Sequence, residues 1–167
     1  MPKKPNKATD DTTVDHSVLV APCGMNCAVC ACYLAGQNHM KSQGVRIPEC
    51  AGCRIRGKQC AYLKKYKPSC TELLNSESGF CFQCPDFPCS HLKGIDARYQ
   101  SRYRTSLIGN LQYIKEHGVA KFLESQTKQW RCPTCGGTIC CHNGLCFRCD
   151  LEKLRAKKQV YRWEDGK

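Results

Sequence analysis

Residues 130–149 read WRCPTCGGTICCHNGLCFRC, and their spacing decides how the rest of the chain is read. Cys132-x2-Cys135 and Cys146-x2-Cys149 are separated by ten residues. Gly136-Gly137 follows the first pair and Asn143-Gly144 precedes the second. Each pair needs a tight turn that aims backbone N–H groups at sulfur, and Gly and Asn tolerate the positive φ involved. The pattern predicts a short zinc ribbon, with four sulfurs about 2.3 Å from one tetrahedral ion. Cys140, Cys141 and His142 fall inside its hairpin. Cys140 and His142 are further candidate ligands, with a spare thiol and a packed imidazole as the plainer alternatives.

The same dipeptide spacing recurs toward the N-terminus. The chain has 167 residues and 17 cysteines, and Cys27/Cys30, Cys50/Cys53 and Cys81/Cys84 are also C-x-x-C pairs. Two cysteines that close turn both sulfurs toward one point, which suits a metal better than a disulfide framework. Seventeen is odd, and the opening MPKKPNKATDDTTVDHS has lysines but no apolar core, so no secretory signal is expected. A reducing cytoplasm follows as the expected compartment. No run of about 18 apolar residues exists to span a membrane.

Pairing Cys27/Cys30 with Cys50/Cys53 gives one plausible four-sulfur site, in which Cys23 or Cys32 replaces a member in alternative partitions. A third group is Cys60, Cys81, Cys84 and Cys89, with Cys70 and His91 in reserve. About three zinc ions are therefore expected. Sulfur-only ligation also suits iron, which leaves an iron–sulfur electron-transfer protein as an alternative. Thiols outside complete quartets (Cys23, Cys32, Cys70, Cys140 or Cys141) leave a thiol-dependent or redox enzyme as another. No paired-carboxylate, Ser–His–Asp or phosphate-loop pattern points to an enzyme.

The expected fold is small, α+β and metal-stabilised, because the chain is lean in large apolar residues and rich in ligands. Residues 1–16 read as a disordered tail and 17–94 as a cysteine-rich metal-binding module with loop-rich knuckles. Within 95–129 the apolar stripe of Ile95, Tyr99, Tyr103, Leu107, Leu111 and Ile114 predicts one helix of about five turns. His117-Gly118 stops it, and a shorter helix with Val119, Phe122 and Leu123 completes a central αα-hairpin. The ribbon occupies 130–150, and 151–167 is a basic tail or short helix.

The formal charge is +12. Residues 41–67 hold eight Lys or Arg against Glu49. Arg54, Arg56, Lys58, Arg98 and Arg102 are the candidate anion-binding residues, so nucleic acid is one partner class and protein the other. A Zn²⁺ held by four thiolates carries a net charge of −2, so basic residues beside the knuckles also serve to neutralise metal centres.

The stretches CGMNCAVCACYL, ECAGCR and GFCFQCPDFPC followed by HLKGIDARY resemble a cysteine-rich prokaryotic family known only as a domain of unknown function. The resemblance spans about residues 20–115. Longer members share a W-x-C-P-x-C-G-G ribbon, which extends it to about Cys149. It implies a zinc-binding protein with no assigned reaction. On that resemblance Cys23, Cys27, Cys30, Cys50, Cys53, Cys81, Cys84 and Cys89 match the family motif, while Cys32, Cys70 and Cys141 do not. Together these observations predict a structural-zinc interaction module.

Overall fold

Short capped turns build the N-terminal part, because cysteines every few residues leave no room for long periodic elements. The computed structural model describes residues 15–56, 79–158 and 160–164. Residues 1–14 of the expected tail, Lys58, Cys60, Cys70 and the Arg56 side chain lie outside them. Asp15 caps a 3-10 turn at His16–Leu19 by accepting from the Ser17 N–H, and Asn26 caps Cys27–Val29 by accepting from the Ala28 N–H. Helix α1 (Ala31–Gln37) and the four-residue α2 (Cys53–Arg56) follow.

The helices after Cys89 depart from the expected hairpin. They are α3 (Ser90–Tyr103), α4 (Leu107–His117) and α5 (Val119–Gln129), so the single helix predicted from Ile95 through Ile114 is two. The break has a visible cause. Arg104 takes a left-handed φ of 54°, and Ser106 caps α4 by accepting from the Gly109 N–H at 2.9 Å. Buried Asp96 on α3 accepts from the Ser106 hydroxyl at 2.8 Å and the Ile108 N–H at 3.1 Å. One carboxylate thus closes the corner.

The apolar residues form two cores. The first joins Leu19, Val20 and Met25 to Leu107, Leu111, Ile114, Phe122 and Trp130. The second joins Leu34, Met40 and Ile47 to Leu145, Phe147 and Leu154, the last on α6 (Leu151–Ala156). Both therefore reach from the N-terminal turns to the C-terminal half. Gly24 (φ +87°) makes a close approach between the two halves, where a Cβ would lie 2.5 Å from the Leu107 carbonyl oxygen. The Asn110 side chain donates to the Gly24 carbonyl at 2.9 Å to fix that contact.

The expected α+β content is weighted heavily to helix. Among the described residues, β structure consists of three isolated antiparallel bridges, Val20 with Asn26, Arg131 with Thr138 and Ile139 with Cys146. No helix among the described residues is long and apolar enough to cross a membrane.

Candidate metal centre

Two of the three bridges shape the C-terminal knuckles. Cys132 donates its N–H to the Gly137 carbonyl at 2.7 Å, and Gly136 donates back to the Cys132 carbonyl at 2.9 Å. The Gly137 N–H points at the Cys135 sulfur at 3.4 Å. Across the turn, Cys140 donates to the Leu145 carbonyl, and Asp150 accepts from the Cys146 N–H at 2.8 Å. The sulfurs of Cys132, Cys135, Cys146 and Cys149 consequently all lie within 4.8 Å of one another. Cys132 and Cys149 are 4.0 Å apart, and Cys135 and Cys146 are 3.6 Å apart. A tetrahedron with metal–sulfur bonds of about 2.3 Å has edges of about 3.8 Å, so the quartet has the dimensions of a four-sulfur metal site.

The thiols are not equivalent. Backbone N–H groups of Cys135 and Thr134 hold the Cys132 thiol down at about 6. Hydrogen bonding to Cys135 and burial push Cys149 up to about 12, and burial raises Cys146. Ionisation of one sulfur thus makes loss of the next proton harder, until a cation replaces the protons. The Arg131 and Arg148 side chains lie against Gly136 and Gly137, beside the charge such a centre would carry.

The N-terminal cysteines are arranged differently. Cys23 and Cys27 are buried, while Cys30, Cys32, Cys50, Cys53, Cys81, Cys84 and Cys89 are half-buried. Cys53 donates its N–H to the Cys27 sulfur at 3.4 Å, and Gly52 donates to the Cys50 sulfur at 3.3 Å. The Cys30 thiol is pushed up by its hydrogen bond with Cys32 and by burial. Among the described residues, the C-terminal quartet is the group of three or more ligating side chains that meets the 4.8 Å spacing. The grouping of Cys27, Cys30, Cys50 and Cys53 is not brought to it, and the grouping with Cys60 lies partly outside the described residues.

Arg54 is turned inward. It donates from Nε to the Val20 carbonyl at 2.6 Å and from Nη2 to the Gly79 carbonyl at 2.7 Å, with its guanidinium 4.9 Å from the Phe80 ring centroid. Burial holds it below its ordinary value, while the thiols of Cys23, Cys27, Cys81 and Cys53 favour its charged form. Arg98, Arg102 and His91 lie exposed on α3.

Residues 19–94 match the family model described as protein of unknown function (DUF3795). The match covers just under half of the chain, which is similar to that family over this segment. The match is shorter than the resemblance over 20–115 and ends in α3, so the C-terminal quartet lies beyond the DUF3795 segment. No curated protein and no solved structure matches the chain.

His142 clasps the DUF3795 segment to the knuckles. Its Nδ1 accepts from the Ala31 N–H at 3.2 Å, which puts the ring proton on Nε2, where it donates to the Tyr99 hydroxyl at 3.3 Å. Burial lowers His142 to about 4, so the ring is neutral, and both nitrogens already have partners. This candidate ligand is engaged here as a hydrogen-bonded clasp. Cys140 is fully buried, and burial pushes its thiol up to about 12.

The C-terminal aromatics add a second tie that the sequence did not announce. The Tyr161 hydroxyl lies 2.8 Å from the Cys32 sulfur of the DUF3795 segment. Trp163 donates from Nε1 to the Cys141 carbonyl at 2.8 Å and lies 4.0 Å beneath the Arg104 guanidinium. Two aromatics within a charged, otherwise aperiodic tail were the available signal.

Proposed function

We propose that the chain is a structural-zinc interaction module in which residues 130–150 form a zinc ribbon. The observation that carries this reading is the Cys132–Cys135–Cys146–Cys149 quartet, whose sulfur separations of 3.6 and 4.0 Å suit a tetrahedral ion. Four protein sulfurs fill the coordination of zinc and leave no position for a reacting water, as in structural rather than catalytic centres. The ion would fix a surface flanked by Arg131 and Arg148, both exposed, for a protein or nucleic-acid partner. Thiols that must stay reduced suit the cytoplasm.

Elemental analysis and thermal melting of protein purified under reducing, zinc-replete conditions test the proposal. Colourless protein with tightly held zinc, and a melting temperature lowered by chelator, are expected. Protein without zinc, brown protein with a visible iron–sulfur spectrum, or a melting curve indifferent to chelator overturns it.

A further inference from the structure

We infer that the cleft between α1 and the C-terminal knuckles binds a nucleotide, free or as an unpaired member of a single strand. This deepens the reading above and rests on it, because the knuckles that zinc would fix form one wall of the cleft.

Two cavities adjoin there. The larger, about 290 Å³, is lined by Tyr33 and Gln37 of α1 and by Thr138, Cys146 and Arg148 of the knuckles. The smaller, about 90 Å³, is lined by Trp130 and Arg131. Ala28, Gly137 and Thr138 line both. The larger lies near the lower end of the volumes that small ligands occupy, about 300–1,000 Å³, and suits a heterocycle. The smaller has room for about three waters, which is the scale of a phosphate group rather than of a base.

The side chains match that division. Each cavity has one arginine, and no Asp or Glu lines either. Among the described residues, the Tyr33 hydroxyl, the Gln37 amide and both guanidiniums have no hydrogen-bond or ion-pair partner. The Nε1 donor of Trp130 is buried without an acceptor. A base stacks on an aromatic ring, an amide offers donor and acceptor to a base edge, and a guanidinium pairs with phosphate. Each guanidinium carries five N–H donors, so lying beside the sulfur charge leaves others for phosphate. An acidic peptide would use the arginines but has no need of the ring and the amide.

The test is fluorescence anisotropy of a labelled oligoadenylate with the full-length, zinc-loaded protein. The single strand should bind, and a hairpin duplex should bind more weakly. Tyr33→Ala and Arg148→Ala should each weaken binding at least about fivefold, while Arg98→Ala, on the exposed side of α3, should change it little. Displacement by adenosine 5′-monophosphate at comparable concentration makes the free nucleotide the ligand. Displacement only in large excess, or none, makes it the strand, and either result upholds the cleft. Absent binding, equal losses in all three variants, or displacement by hexaglutamate with Tyr33→Ala binding as wild type overturns the inference. Ultraviolet cross-linking of the unmutated protein to the oligoadenylate, read by peptide mass spectrometry, decides the matter even where a variant fails to fold. It should mark the peptide that holds Tyr33, and cross-links confined to other segments overturn the inference. Zinc-loaded protein that ignores nucleotides leaves the metal reading standing, and nucleotide binding by protein purified without zinc sinks only the metal reading.

Discussion

The backbone N–H of Ala31 donates to Nδ1 of His142 at 3.2 Å, so residues 111 positions apart share one hydrogen bond. Because the folded imidazole resists protonation until about 4, against an ordinary 6.5, the unfolded chain binds the extra proton first. Stability from this group is complete above about pH 6.5 and falls as pH drops toward 4, by about 3 kcal/mol in total. Urea denaturation of the wild type and of His142→Phe across pH 4–8 checks it. The variant should be less stable at pH 7 and its pH dependence shallower by that amount. Parallel pH profiles would count against the neutral clasp.

Asp96 accepts from Ser106 Oγ, the Ile108 N–H and the Gln100 amide while almost fully buried. Asp96→Ala leaves buried donors at the α3–α4 corner without an acceptor and should destabilise by about 2–4 kcal/mol. Asp96→Asn keeps one side-chain oxygen and should lose less. Chemical denaturation of the three proteins measures the ranking, and equal losses would show that the carboxylate does not hold the corner.

Much of the C-terminal quartet was legible because its geometry is local. Paired cysteines, glycines and an Asn-Gly turn dictate where four sulfurs go. The helix break was not legible, since Tyr103 and Leu107 keep the four-residue spacing across Arg104–Ser106. An apolar stripe reports which side chains are buried and says nothing of whether the backbone between them is continuous. Arg54 was counted in a basic run, yet charge in a sequence carries no direction, and its guanidinium is spent on Val20 and Gly79. His142 offered the same imidazole to a metal or to a hydrogen bond, and the choice lay with Ala31, far away in the chain.

Gly144 sits at φ +72°, and a Cβ there would lie 2.5 Å from the Trp163 ring. Gly144→Ala should destabilise by about 2–4 kcal/mol, from left-handed backbone strain together with overpacking. In a Trp163→Ala background the clash is gone, and the same change should lower stability by only about 1–2 kcal/mol. A double-mutant cycle by thermal melting reads the difference, and strictly additive losses would argue against the seat.

Cys146 is buried beside Ile139, whereas Cys149 is exposed. Serine at either position should weaken zinc retention. In chelator-treated protein, Cys146→Ser should also lower stability by about 1–3 kcal/mol by burying a hydroxyl, and Cys149→Ser should change it little. Denaturation with chelator present would reveal the asymmetry, and indistinguishable curves would contradict it.

The tie between Tyr161 and Cys32 spans 129 residues, and it bears on how the chain emerges from the ribosome. At about 5–20 residues per second, Cys32 waits roughly 6–26 s for its phenol to be made. Throughout that interval Cys32 is already translated while the hydroxyl that meets its sulfur is not. Vectorial synthesis therefore opens a window in which the Cys32 thiol meets oxidants or stray metal ions, and it closes only when Tyr161 docks.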